Sequence, residues 1–186
     1  MKTFLELARS RQSDRAFDAA RPVEKDKIER ILAAAQLAPS ACNAQPYKMI
    51  VVDEPELKNK VADTTSSKVL GMNHFTKQAP VHIVVVEENP NFTSGIGGVV
   101  KDKHFPYIDI GIVAAHITLA AADEGLGSCI LGWFDEKKLR ALLDIPSRKR
   151  ILLDIVIGYS TQPLRDKKRK EQGKVVGYNK YNRTVR

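Results

Sequence analysis

Three arginines crowd the stretch "RSRQSDRAF" at residues 9–17, around Gln12, Ser13 and Asp14. Arg11 and Arg15 are four apart, so a helix would set both on one face. An extended chain would instead put Arg11, Ser13 and Arg15 on one side, Gln12 and Asp14 on the other. Either geometry converges two guanidinium forks of the kind that match phosphate oxygens, with a serine hydroxyl as a further donor. The chemistry open to such a stretch is anion binding. The bland alternative is a solvated helix end neutralised by Asp14 or Asp18. Two other stretches carry usable groups. "PSACNAQPY" at 39–47 sets small and amide side chains between two prolines, and "RDKKRK" at 165–170 is a basic run.

The basic run dominates the charge. The chain has 186 residues and a formal charge of +8, and from Ser160 to Arg186 nine Lys or Arg face two acidic residues. A phosphorylated or polyanionic partner is therefore favoured. Cys42 and Cys129 show no CxxC, and His74, His82, His104 and His116 show no ligand spacing, which argues against zinc or a disulfide framework. Cys129 reads as a small core residue, and Cys42 as an unactivated thiol in a loop. "MKTFLELARSR" lacks the apolar run of a signal peptide, and the apolar stretch Ile108 to Ala122 is only 15 residues long with Asp109, His116 and Thr118 inside it. The expectation is a cytoplasmic protein with no membrane span.

These groups need a scaffold. Phe4, Leu5, Leu7 and Ala8 suggest a short first helix ending near the arginines. Ile28, Ile31, Leu32 and Ala35 form a helical stripe between Pro22 and Pro39. "KMIVVD" reads as a strand, 54–63 as a helix, and "PVHIVVVEE" as a strand buried on both faces in the sheet interior. Residues 89–104 read as a loop and a candidate lid, whose glycines fit neither GxGxxG nor GxxxxGK[ST]. A central helix over about 106–124 closes at Gly125, followed by the strand in "LGSCILGWF", a helix capped by Asp135, and the strand "RILLDIVIGYS". Alternating strands and helices without repeats make the fold α+β or α/β. One domain over 1–186 with a basic C-terminal arm at about 163–186 is expected.

Taken together, "RSRQSDRAF", "APSACNAQPYKMIVV", "NHFTKQAPVHIVVV", "AAADEGLGSCILGWFD", "LLDIPSRKRILLDIVIGYS" and "KKRK" resemble, in order, the nitroreductase family. The resemblance implies an α+β fold, a central mixed sheet flanked by helices, and an intertwined homodimer with FMN at the subunit interface. It implies that Arg11 and Ser13 bind the FMN phosphate with Lys167 (alternatively Lys168) and Arg169, that Gln12 lies in the same contact set, and that Arg15 reaches the pyrimidine side of the ring. Cations there would stabilise the reduced flavin. Pro39, Ser40, Ala41 and Asn43 would be laid against the ring by the partner subunit, supported by Gln45. Asn73 would meet the ring's polar edge or cap the turn before Pro80. Leu131, Gly132 and Trp133 would lie at the ring, Gly132 offering its N–H to N5, while Trp133 stacks or packs in the core. Gly132–Trp133 departs from the Glu–Gly of the larger members, which leaves the substrate open.

The implied activity is ping-pong hydride transfer from NAD(P)H to nitroaromatics or quinones, with Arg15 and Gly132 as the catalytic positions. Alternatives are a dehalogenase or enone reductase of the same family, or a nucleic-acid-binding arm using Tyr178 and Tyr181. Against the last, the charge is confined to one tail and no RRM, KH or zinc motif appears, so no nucleic-acid partner is expected.

Overall fold

The computed structural model describes residues 3–67, 71–89 and 103–183. Helix α1 (Phe4–Ser10) starts on a capping box in which Thr3 and Glu6 satisfy each other's backbone N–H, and none of its residues is buried. Helix α2 (Lys25–Gln36) buries Ile28, Ile31 and Ala35, the expected stripe, and stops short of Pro39. Strand β1 (Tyr47–Val52) leads to α3 (Pro55–Thr65), whose cap Glu54 accepts from the N–H groups of Glu56 and Leu57. Strand β2 (Val81–Glu87) is buried along all but its last residue. Helix α4 (Phe105–Asp123) follows. It ends in a Schellman turn: Gly125 takes φ 75°, and Leu126 N–H reaches Ala121 O at 2.8 Å. Strand β3 (Gly127–Leu131), α5 (Glu136–Leu142, capped by Asp135) and β4 (Ile151–Gly158) complete the scaffold.

The sheet order is β1-β2-β4-β3, every neighbouring pair antiparallel. The mixed character expected of the sheet reduces, among the described residues, to one parallel bridge between Ser13 and Ser128. β2 and β4 lie inside, and β3 is the outer strand next to β4.

Each face of the sheet carries its own core. On one face α2 and α4 cover Ile83, Val85, Ile155 and Ile157. On the other, Val61 of α3 and Leu139 of α5 pack on Val84 and Val86, and Phe17 closes over Cys129 and Val156. α4 has the length and apolar composition to cross a bilayer, but nine of its residues are buried, and it packs on α2 and the sheet as a core helix. The segment 89–104, apart from its ends, lies outside the described residues.

Candidate functional site

After α1 the chain runs along the outer edge of β3. Asp14 N–H donates to Ser128 O at 2.9 Å, beside the Ser13–Ser128 bridge. The Asp14 carboxylate is 3% exposed and fully engaged: Oδ1 accepts from Ser160 Oγ at 2.6 Å and Gln12 Nε2 at 2.8 Å, Oδ2 from Ser128 N–H at 3.2 Å. It thereby knots the N-terminal segment, the start of β3 and the exit of β4. Gly127 is required beside it, since a Cβ there would lie 2.8 Å from Asp14 Oδ2.

The C-terminal arm is drawn back onto this knot. Gln12 Oε1 accepts from Arg165 N–H at 3.1 Å, Gln12 Nε2 donates to Pro163 O at 3.1 Å, and Gln162 Oε1 accepts from Arg15 N–H at 2.7 Å. Arg165 Nη2 donates to Ser13 O at 2.6 Å, and Lys167 Nζ to Arg9 O. The Gln12 amide is thus spent on bracing the two chain ends together.

The electrostatics show where the cations stand. Burial, then the Arg11 and Arg169 guanidiniums, push the Lys167 amine below the ordinary lysine range, with Asp14 pulling the other way. Burial pushes the Cys129 thiol up against the opposing influence of Arg15, Arg11 and Arg165, as suits a core thiol. Arg11, Arg15, Arg165, Lys167 and Arg169 therefore lie within electrostatic reach of one region around the start of β3. Like charges held this close call for an anion with several acceptor oxygens, and the donor set fits a phosphate dianion. Lys167 is half-buried within this group, while Lys168 is exposed.

At the far end of β3, Leu131 is buried and Gly132 exposed, with nothing within 4 Å of where its Cβ would point. Trp133 is 57% exposed, so the core-packing alternative for it is not met in a single copy; Phe134 packs inward instead. From Ser128 to Gly132 the strand covers about 13 Å at 3.3 Å per residue. One sheet edge thus links the cationic group to an approachable backbone.

The Pro39–Gln45 loop is built differently. It contains a 3₁₀ turn at Ala41–Asn43, and Cys42, Asn43 and Gln45 take φ of 51°, 50° and 46°. Left-handed backbone costs a non-glycine residue about 1 kcal/mol, so the surroundings must hold it. Ser40 Oγ accepts from Gln45 N–H at 3.0 Å, Gln45 Nε2 donates to Asn43 Oδ1 at 3.1 Å, and Asp109 Oδ1 accepts from Ala41 N–H at 3.1 Å. Pro39, Cys42 and Asn43 are exposed, Ser40 and Ala41 half-buried. Beneath them burial, then the Asp109 charge, push the Tyr47 phenol up.

Asn73, at φ 58°, sits where the 3₁₀ turn His74–Gln78 begins; its carbonyl accepts from Thr76 N–H at 3.1 Å, and its amide donates to Thr65 O at 3.1 Å. The turn is anchored from below by His82, whose ring nitrogens lie 2.8 Å from Asp154 Oδ2 and 3.3 Å from Thr76 O, with His82 and Asp154 both fully buried. His82 is structural, as its place in a strand suggested.

A single copy therefore sets Arg11 and Arg169 within electrostatic reach of Lys167, and Arg11, Arg15 and Arg165 within reach of Cys129, with Gln12 as brace. It does not bring Pro39–Asn43 to them. That loop hangs on Asp109 in the first turns of α4, whereas the knot lies beyond the helix's last residue, Asp123. The rise between those residues is about 20 Å. Sequence reasoning missed Asp14, Arg165 and Asp109. Arg165 opens the basic run and was within reach of inspection; Asp14 and Asp109 carry no local signal of burial.

Known proteins agree with this architecture. The Nitroreductase family model matches residues 8–159. The chain belongs to that family, whose members are FMN-dependent oxidoreductases. A nitroreductase family protein from Clostridium novyi NT superposes with a TM-score of 0.76 at 32% identity, over 89% of each chain. An iodotyrosine deiodinase from Thermotoga neapolitana is 26% identical over 97% of this chain and 100% of its own. An FMN reductase [NAD(P)H] from Bacillus subtilis is 28% identical over 74% of this chain, which spans 58% of that relative.

Proposed function

We propose that the chain is a cytoplasmic NAD(P)H-dependent reductase of electron-poor acceptors, nitroaromatics or quinones, working as a homodimer with FMN at the subunit interface. The supporting observation is the basic arm folded back on the N-terminal arginine segment, Arg165 on Ser13 O and Lys167 on Arg9 O, with Arg11 and Arg169 within electrostatic reach of Lys167, a set suited to the FMN phosphate. FMN, when bound, supplies the two-electron redox step. The protein binds the phosphate at the cationic group, sets Arg15 toward the ring's pyrimidine side, and offers the Gly132 backbone at the ring. The open space at Gly132, bordered by Trp133, receives donor and acceptor in turn, the basis of a ping-pong scheme. No side-chain acid or base is indispensable in this reading.

A second copy is needed because the loop 39–45 and the cationic group stand at opposite ends of α4. Exposed apolar side chains support it: Phe4 and Leu5 on α1, Tyr107 and Ile108 on α4, and Leu164 on the arm are all more than half exposed. The whole chain then acts as one domain, with the arm past Pro163 closing the site.

The test is direct. Purified protein should be yellow and release FMN on denaturation. At saturating FMN, Arg15→Ala should slow reduction by NAD(P)H more than Arg11→Ala, whereas Arg11→Ala should weaken FMN affinity more; equal loss of rate in both variants contradicts the division of roles. A second reading, reductive dehalogenation, is favoured by the end-to-end match to the Thermotoga neapolitana deiodinase. Anaerobic reoxidation of the reduced enzyme by iodotyrosine, compared with a nitroaromatic and a quinone, decides between the two.

A further inference from the structure

Asp109 is a buried carboxylate in a largely apolar helix. It is 3% exposed, accepts one hydrogen bond at Oδ1 from Ala41 N–H at 3.1 Å, and its Oδ2 is buried without a partner among the described residues. The Tyr47 hydroxyl is buried and unpartnered as well, close enough for the Asp109 charge to push the phenol up. A half-satisfied carboxylate in a core is costly, so its retention calls for a local reason. The reason is overhead. The segment it touches holds three left-handed non-glycine residues within four positions, Cys42, Asn43 and Gln45. Its other described side-chain braces, Ser40 to Gln45 and Gln45 to Asn43, begin and end within the loop itself. The Asp109 hydrogen bond to Ala41 N–H ties that loop to the folded body.

We propose that Asp109 is a positioning residue for the ring-binding loop: by holding Ala41 N–H it fixes residues 40–45 in the strained conformation that presents Ser40 and Asn43 to the cofactor. The inference rests on the reading that this loop meets FMN, and in a dimer Asp109 would then act on the site of the neighbouring subunit. What the site needs from Asp109 is an acceptor, and the negative charge is secondary. Asparagine would keep an acceptor for Ala41 while removing the charge.

The test uses the full chain and FMN titrated into apoprotein. Asp109→Ala should raise the FMN Kd about tenfold, the factor one hydrogen bond supports, and Asp109→Asn should restore it to within about threefold of wild type. Ala41→Pro removes the same bond from the donor side, at a position whose preceding residue is already extended (Ser40 φ −140°, ψ 157°). The double variant Asp109→Ala/Ala41→Pro lacks both partners and any buried charge; it should bind FMN no worse than Asp109→Ala alone. Amide exchange in apoprotein should quicken at 41–45 in Asp109→Ala and stay near wild type in Asp109→Asn. A fall in stability of Asp109→Ala with FMN affinity and loop exchange unchanged overturns the proposal and leaves the flavin reading standing. Wild-type chain that takes up no FMN overturns both.

Discussion

Two carboxylates with the same burial anchor the two halves of the candidate site. Asp14 and Asp109 are each 3% exposed. Asp14 is saturated, receiving Ser160, Gln12 and Ser128. Among the described residues Asp109 receives only Ala41, and its second oxygen has no partner. Burial alone therefore does not tell what a charge is for; between these two, the completeness of the shell and the segment it touches both differ. A saturated carboxylate joins segments distant in sequence and stabilises the fold. An incomplete one beneath strained backbone sets the shape of a loop at a cost in stability.

The sharpest break of the comparison is Asp14→Ala. It strands the buried Ser128 N–H together with Gln12 and Ser160, and removes the anchor from which Gln12 reaches the arm. The loss should be about 3 kcal/mol, read as the shift in urea midpoint at constant slope, with FMN affinity falling alongside because Arg165 and Lys167 lose their seat. A loss below about 1 kcal/mol would erase the distinction from Asp109. Gly127→Ala attacks the same knot by volume: the new methyl would lie 2.8 Å from both Asp14 Oδ2 and Ser160 Cβ. About 1–3 kcal/mol should be lost, again by denaturant unfolding.

The contrast also explains what could be read in the sequence. Helices α2 and α4 and strand β2 follow from local patterns, the Ile28–Ile31–Ala35 stripe, the apolar run closing at Gly125 and the valines of 84–86, because helical spacing in α2 and near-continuous apolarity in α4 and β2 are each visible within the element itself. The arginine cluster is legible because guanidinium spacing is itself local. Asp14 is not: between Arg11 and Arg15 it looks like an exposed neutraliser, and its partners Ser128 and Ser160 lie more than 100 residues away. The strand order β1-β2-β4-β3 and the His82–Asp154 pair depend on long-range pairing in the same way. Asp109 could be seen only as an interruption of an apolar stretch, since nothing near it in sequence points to Ala41.

Above the Asp14 knot, proton linkage probes the cationic half. The Lys167 amine sits below its ordinary range through burial and through Arg11 and Arg169, so between its lowered value and the unfolded value near 10.5 the folded apoprotein holds fewer protons than the unfolded chain. Stability of the apoprotein should accordingly rise with pH through that window and level off above it. A bound phosphate reverses the cause, so FMN binding at alkaline pH should take up protons, seen as a dependence of calorimetric heat on buffer ionisation enthalpy. Lys167→Met should abolish that dependence and Lys168→Met should not; the opposite result would move the phosphate contact to Lys168.

The smallest effect is expected at Tyr47→Phe, and it carries the comparison most directly. If the Tyr47 hydroxyl has no partner, its removal relieves a buried donor of an unmet need and leaves Asp109 as it was. Unfolding free energy should then stay level or rise by up to about 1 kcal/mol, with FMN affinity unchanged. Were the hydroxyl instead completing the Asp109 shell, the same substitution would cost about 1.5–3 kcal/mol, the range for a hydrogen bond to a charged group. Asp109 would then be as saturated as Asp14, and the incomplete shell could no longer separate a carboxylate that shapes a loop from one that ties a fold.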